Sequence, residues 1–343
     1  VESKNVSSFG SLSFSPFRQM AWLGLASAFV LTGCSSIQVR LGQRISLAKT
    51  PVTSIEASLS KDPGIAPGQK ASLIATLIGP NGAVLVTEGA GKGKVLWKDL
   101  AVTTSVVSVN KKGVLSLPRD PRVSDGKTGH VTITVPSQPS VRADLDVPVR
   151  YDISFVSNFS GSGGSIGFNG TDGMSGSSGS MGSIDGNNPS AGGDGTDGTN
   201  GSDGQDGGSG GDGPSVQMRV ALRSGTHPLL QLGVSAAGHK ERFYLVDPQG
   251  GSLSVTSSGG AGGSGGKGGR GGSGGSGGIG IPSGQNGRNG LDGRDGSNGT
   301  AGNAGAITVI YDPQTKPFLT ALHIGGHGGP QPVFEEEAVA PLW

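Results

Sequence analysis

Two stretches of this chain, Gly161 to Gly213 and Gly259 to Gly305, return to glycine at every third residue with few lapses. In the first, the phase holds from Gly161 to Gly182, slips by one residue, resumes at Gly186, meets Pro189 in the next slot and runs unbroken from Gly192 to Gly213. The second keeps one phase from Gly260 to Gly305 with Ile281 as its lapse, and tightens to Gly-Gly-X between Gly259 and Gly278. A period of three belongs neither to an α-helix nor to a strand. It belongs to a polyproline-II-type helix, which rises about 3.1 Å per residue and has no internal hydrogen bonds. One glycine per turn bares a face on which a second backbone can exchange N–H···O=C bonds, and Gly-Gly-X bares two. The spacing predicts a bundle with the Gly-Gly-X stretch inside and Gly-X-Y stretches at its rim. Its packing glycines are Gly260, Gly263, Gly266, Gly269, Gly272, Gly275 and Gly278. Two alternatives stand beside it. A flexible Gly/Ser linker has no reason to keep phase, and a collagen-like trimer calls for more proline than Pro189 and Pro282 supply. The phase slip after Gly182, Pro189 and Ile281-Pro282 are the predicted turns.

With 67 glycines in 343 residues, 33% hydrophobic and 5% aromatic content, one large apolar core is excluded, and the length suits two domains. A net charge of +1 without a basic stripe argues against nucleic acid as a partner. The single cysteine, Cys34, excludes a disulfide within the chain.

Residues 1–33 read as an export signal: Lys4 and Arg18 precede an apolar stretch, Ala21 to Leu31, too short to span a bilayer as a helix. It ends in Leu31-Thr32-Gly33-Cys34, which resembles the lipobox of bacterial lipoproteins. The resemblance implies cleavage before Cys34, acylation of that cysteine and attachment to a membrane. Ser35 in place of Asp implies the outer membrane of a two-membrane bacterium. Residues 34–51 are then a lipidated tether.

From 52 to 151 the chain alternates in strand fashion. Ala71 to Ile78, Ala83 to Thr87, Lys94 to Trp97, Ser105 to Val109, Gly113 to Leu117, His130 to Val135 and Ala143 to Val149 are separated by turns such as Pro80-Asn81-Gly82. The pattern predicts a β-sandwich. Pro67-Gly68-Gln69, Trp97, Val106 to Val109 with Gly113-Val114-Leu115, and the closing Gly129 to Val135 resemble bacterial Ig-like domains of surface proteins. Trp97 is expected as a core anchor and His130 as structural or exposed.

Tyr151 to Val156 leads into residues 152–330, which combine the glycine runs with conventional strands at Val216 to Leu222, Leu229 to Val234, Arg242 to Val246, Ser252 to Val255, Ala306 to Tyr311 and Phe318 to Ile324. The fold class is all-β: an Ig-like sandwich followed by packed polyglycine-II helices interleaved with short antiparallel strands. The first run carries Asp172, Asp185, Asp194, Asp197, Asp203, Asp206 and Asp212 without Lys or Arg, and the second carries Lys267, Arg270, Arg288 and Arg294. These charges either pair across the runs or stay solvated. Gly192-Gly-Asp194-Gly-Thr-Asp197 opens like a calcium nonapeptide repeat but does not recur, so Asp194, Asp197, Asp203 and Asp206 are candidates for low-affinity calcium binding. Gly163-Gly-Ser165-Ile-Gly167 sits inside a period-three run rather than at a strand-to-helix turn, and Lys267 lacks the following Ser or Thr of a P-loop. His227, His239, His323 and His327 show no metal-ligand spacing. No catalytic residue is assigned.

The Gly-X-Y and Gly-Gly-X spacing is similar to the polyglycine-II bundles of a phage tail-fibre adhesin, a springtail antifreeze protein and the glycine-rich region of certain receptor tyrosine kinases. That resemblance implies an architecture and carries over no functional residue. The expectation is a lipid-anchored surface protein, structural or adhesive and not an enzyme, its sandwich raising a rigid head. The alternatives are a receptor for a glycan or protein, and a self-associating subunit of a filament or surface layer. The tail, 331–343, is left without a role.

Overall fold

The computed structural model describes residues 43–223, 225, 227–325 and 329–343. The lipobox residues Leu31, Thr32, Gly33 and Cys34, and His327, lie outside the described residues. The regular structure is all-β with short 3₁₀ turns. The chain divides into two compact units: one reaches to Arg119 and includes Gly126–Val149, the other comprises Asp120–Asp125 and Arg150–Trp343.

In the first unit, β1 (Ser54–Leu59), β2 (Lys70–Ile78), β6 (Val114–Ser116) and β5 (Ser108–Val109) form one antiparallel sheet, with β3 (Val84–Val86) also on β2. A second joins β4 (Ala101–Ser105), β7 (Gly129–Val135) and β8 (Gln138–Val147). Alternation decides the faces: Leu73, Ala75 and Leu77 of β2 and Val131, Ile133 and Val135 of β7 enter one core with Trp97 and Leu115.

Two expected strands differ in this unit, and one strand was not expected. Lys94 to Trp97 is not a strand: Val95 makes isolated bridges, and Trp97–Asp99 is a 3₁₀ turn. The chain instead closes a turn there, the Asp99 N–H donating to the Leu96 carbonyl at 3.0 Å and the Leu100 N–H to the Trp97 carbonyl at 3.2 Å. Ser105 to Val109 is broken at Val106, whose φ of 67° lies in the left-handed region. There the chain leaves one sheet and enters the other. β1 was not anticipated, although Ile55, Ala57 and Leu59 alternate inward.

In the second unit, β12 (Arg242–Val246), β11 (Leu229–Ala236), β10 (Val216–Arg223), β14 (Ile307–Tyr311) and β16 (Val333–Glu336) form one sheet in that order. β15 (Leu322–Ile324), β13 (Ser252–Ser258) and β9 (Ser154–Ser160) form another. Phe155 meets Tyr244 edge-on at 5.9 Å, and Arg242 lies 4.5 Å over Phe159. The expectation of antiparallel strands holds only for β10, β11 and β12; the β9–β13, β13–β15, β10–β14 and β14–β16 pairings are parallel. The reason is chain direction. β9 and β13 each lead into an outgoing glycine stretch, whereas β10 and β14 each follow a returning one. Of the strand expected at Phe318 to Ile324, Leu322–Ile324 is β15, whereas the earlier part is corrected: Pro313–Ala321 is a 3₁₀ helix whose start is fixed by Asp312 accepting the Gln314 N–H.

Candidate functional site

The glycine runs fold back at 183–191 and 279–283, giving four segments: I (161–182), II (192–213), III (259–278) and IV (284–305). Every third residue of each joins a ladder of backbone hydrogen bonds. Thr199 N–H donates to the Met174 carbonyl between II and I, and Gly272 to Thr199 between III and II, each at 2.9 Å. Gly173 donates to Arg270 between I and III at 2.7 Å, Gly198 to Arg288 between II and IV and Gly290 to Gly272 between IV and III, both at 2.8 Å. Segments II and III each touch the other three, and I and IV each touch two.

Each of these contacts sets one row of glycines against one row of carbonyls. A Cβ on Gly173 of I would overlap the Thr199 carbonyl of II, and one on Gly198 of II would overlap Gly272 of III. On segment III, Gly272 lies against Met174 of I and its neighbour Gly271 against Gly290 of IV; Gly290 of IV in turn lies against Thr199 of II. Segment III therefore needs two glycines per turn. Segment II also touches three neighbours, with one glycine per turn, because I and IV bring their own glycine rows to it; its glycines are half-buried and its other residues exposed. Gly-X-Y was expected at the rim; II has the exposed side chains of a rim segment but three neighbours rather than two. The seven packing glycines from Gly260 to Gly278 are buried, and a Cβ on any of them would overlap a segment I carbonyl.

Short polar side chains satisfy the N–H groups left between ladders. Asp194, Asp197, Asn200, Asp203, Asp206 and Asp212 accept the backbone N–H of Gln285, Arg288, Leu291, Arg294, Ser297 and Asn303 at 2.6–2.8 Å. Thr196 and Thr199 Oγ1 accept from Ser177 and Met174 at 2.7 Å. The same duty falls to Asn169 and Asp172 toward Lys267 and Arg270, and to Asn289, Asp292 and Asp295 toward Gly274, Gly271 and Gly268. The aspartates read from the sequence as charge partners or calcium ligands are held as backbone acceptors. Among the described residues no group of three acidic, His or Cys side chains is placed to hold a metal.

Register comes from the sheets. β9 and β13 bond residues 98 apart, as with Asn158 and Thr256, and so do segments I and III, as with Asn169 and Lys267. The pairing of Val216 with Ile307 in β10 and β14 carries the same offset, 91, as Asp212 with Asn303.

The turns gather an apolar tip. Gly182 donates to the Ile279 carbonyl at 2.7 Å and Ile281 to Ser190 at 2.9 Å, bringing together Met181, Ile184, Ile279 and Ile281, which are 51–78% exposed. Asp185 is the charged residue within these turns.

Other groups are dispersed. His130 Nδ1 bonds Asp146 at 2.8 Å between β7 and β8, and hydrogen bonding to Asp146 raises the His130 pKa. His227 bonds Asp247 at 2.8 Å, His239 packs on Phe159, and His323 lies on β15. Trp97 is buried beneath Gly113, whose φ of 71° and contact with the indole both require glycine. Ser165 is an exposed residue of segment I.

Among the described residues no helix is long and apolar enough to cross a membrane. Compared with known families, curated proteins and solved structures, the chain matches none.

Proposed function

We propose that this chain is an exported, lipid-anchored surface protein in which an Ig-like sandwich accompanies a polyglycine-II array that presents an apolar tip for adhesion. The observation carrying this reading is the pair of turns at one end of four hydrogen-bonded segments, where four aliphatic side chains stand in solvent. Twenty-two residues at a polyproline-II rise of about 3.1 Å make segment I roughly 70 Å long. Its ladders resist bending, because moving one segment breaks bonds to two or three others. Ile166, Phe168, Met174 and Leu291 are also exposed along the segments, but the tip places four such residues on two adjoining turns, and clustered apolar groups rather than single ones mark interaction sites.

The rival readings have less support. A glycan receptor calls for aromatic residues at the tip, where the described turns have none. A filament built through bare glycine faces needs such faces outward, yet the glycine rows of the described segments are turned onto each other's carbonyls.

Cells displaying the full chain should adhere to a solid or cellular surface, and Ile184→Ser with Ile279→Ser should abolish adhesion at equal surface level. Undiminished adhesion of that variant sinks the tip. Cys34→Ala should release the protein from the membrane fraction, and retention there would refute the lipid anchor.

A further inference from the structure

The segment Val333–Trp343 lies in a site made for it. β16 adds to the edge of β14 in parallel register, pairing Val309 with Phe334 and Tyr311 with Glu336. All four of its residues are exposed, so the strand itself buries little. Glu336 accepts from the Tyr311 hydroxyl at 3.0 Å and from Lys316 at 2.8 Å, and a second hold lies at the far end. Gln231, 2% exposed on β11, turns its amide outward: its Oε1 accepts the Leu342 N–H at 3.0 Å, and its Nε2 donates to the Trp343 carbonyl at 3.4 Å. Two residues along the same strand face, Gly233 leaves a space bordered by a Leu342 methyl. The Trp343 indole N–H donates to Asp125 at 2.9 Å, its ring meets Phe243 edge-on at 5.8 Å, and Arg122 lies 3.9 Å over the other ring. Arg223 fixes the Asp125 carboxylate at 2.8 Å.

These contacts read an extended peptide. A buried amide bonds its backbone, a glycine receives an aliphatic side chain, and an aromatic-acid pair takes an indole. A buried glutamine is costly unless both ends of its amide are bonded. The Gln231 amide has both ends taken by this segment.

We infer that the face of β11 and β12 is a docking site for an extended Leu-Trp peptide, and that it accepts residues 333–343 of a second copy in place of its own. The second copy is favoured because it offers the identical strand, glutamate and indole to the identical receptor, as in segment exchange. Between β15 and β16 stand eight residues, Gly325 to Pro332, four of them glycine. A linker of that length holds its own segment at an effective concentration in the millimolar range, so the intramolecular arrangement prevails in dilute solution. Crowding on a surface, or loss of the anchor in one copy, favours exchange. This inference stands whether or not the tip is adhesive.

The test uses complementary full-length variants. Leu342→Ala/Trp343→Ala vacates the receptor, and Gln231→Leu/Phe243→Ala frees the segment. Light scattering should find each alone monomeric and a mixture forming a one-to-one complex; no complex overturns the inference. In parallel, a fluorescein-labelled peptide of residues 333–343 should bind the vacated chain saturably, at least tenfold more tightly than wild type, and Gln231→Leu should remove that binding. Equal binding to wild type and vacated chains would overturn it too. Should the double variant lose its fold, Trp343→Phe keeps the ring and removes only the indole N–H; it should admit the peptide at lower concentration than wild type, and failure to do so counts against the site.

Discussion

Asp197 accepts the backbone N–H of Arg288 at 2.6 Å, while the carbonyl of Arg288 accepts from Gly198 at 2.8 Å, so adjacent residues of one segment grip both sides of one residue in another. The motif repeats at every third residue, at Asp194 with Gln285 and at Asp203 with Arg294. It uses the carboxylate as a hydrogen-bond acceptor, which either Asp or Asn provides.

Asp203→Asn should therefore leave stability within a few tenths of a kcal/mol, whereas Asp203→Ala should cost about 0.5–1.5 kcal/mol for the lost bond to Arg294. Urea unfolding of the two variants decides it. Equal losses would mean that charge, not acceptance, matters at this position.

Gly269 and Gly163 test the close approach of the segments. A Cβ at Gly269 would overlap the Thr171 carbonyl, whereas one at Gly163 finds its nearest neighbour at 3.9 Å. Gly269→Ala should destabilise by about 1–3 kcal/mol or more, since backbone rather than a pliable side chain must move. Gly163→Ala should be neutral or stabilising by up to about 1 kcal/mol, because it reduces the freedom of the unfolded chain. Thermal unfolding midpoints that fall together would refute the glycine-against-carbonyl account.

The period of three in the sequence returns as the period of the hydrogen bonds, and the two-glycine turns of segment III belong to an interior position. The third neighbour of segment II was not legible, because its neighbours supply the glycines for two of its contacts. The usable signal was chemical: Asp or Asn at 194, 197, 200, 203, 206 and 212, beside Thr196, Thr199 and Ser202, is an acceptor pattern at helical spacing. Isolated charges were read instead. Strand alternation pointed to β2 and β7, but Trp97 looked like strand because hydrophobicity alone does not distinguish a buried strand residue from one that opens a 3₁₀ turn. The Leu342–Trp343 anchor was opaque since Gln231 and Asp125 stand 111 and 218 residues away from their partners in it.

Removing one level from all four segments should be tolerated. Concerted deletion of 173–175, 198–200, 271–273 and 290–292 preserves every offset in the ladders, so the shortened protein should unfold cooperatively near the wild-type temperature. Deleting Gly198 alone shifts the rest of segment II by one residue against three neighbours. It should abolish protection of these amides from hydrogen exchange. Survival of the ladders after that single deletion would contradict register control by β10 and β14.

His130 offers a pH test in the first unit. Its pKa is raised chiefly by the hydrogen bond to Asp146, with Asp144 adding attraction. A raised folded-state pKa means that any stabilisation is complete below the unfolded-state value and is lost as pH rises through the folded-state value. Asp146→Asn should bring the imidazole titration, followed by NMR, back toward that of an ordinary histidine. An unmoved titration would assign the shift to another group.

The interior of the four-segment array is peptide rather than hydrocarbon, and this alters its response to temperature. Exposing apolar surface raises heat capacity by about 0.45 cal/K/mol/Å², whereas exposing polar surface lowers it by about 0.26. The array should therefore melt with a smaller heat-capacity increment per residue than the sheets beside it, along a flatter stability curve. Cooling weakens hydrophobic cores; these segments have almost none to weaken, and should keep their order in the cold.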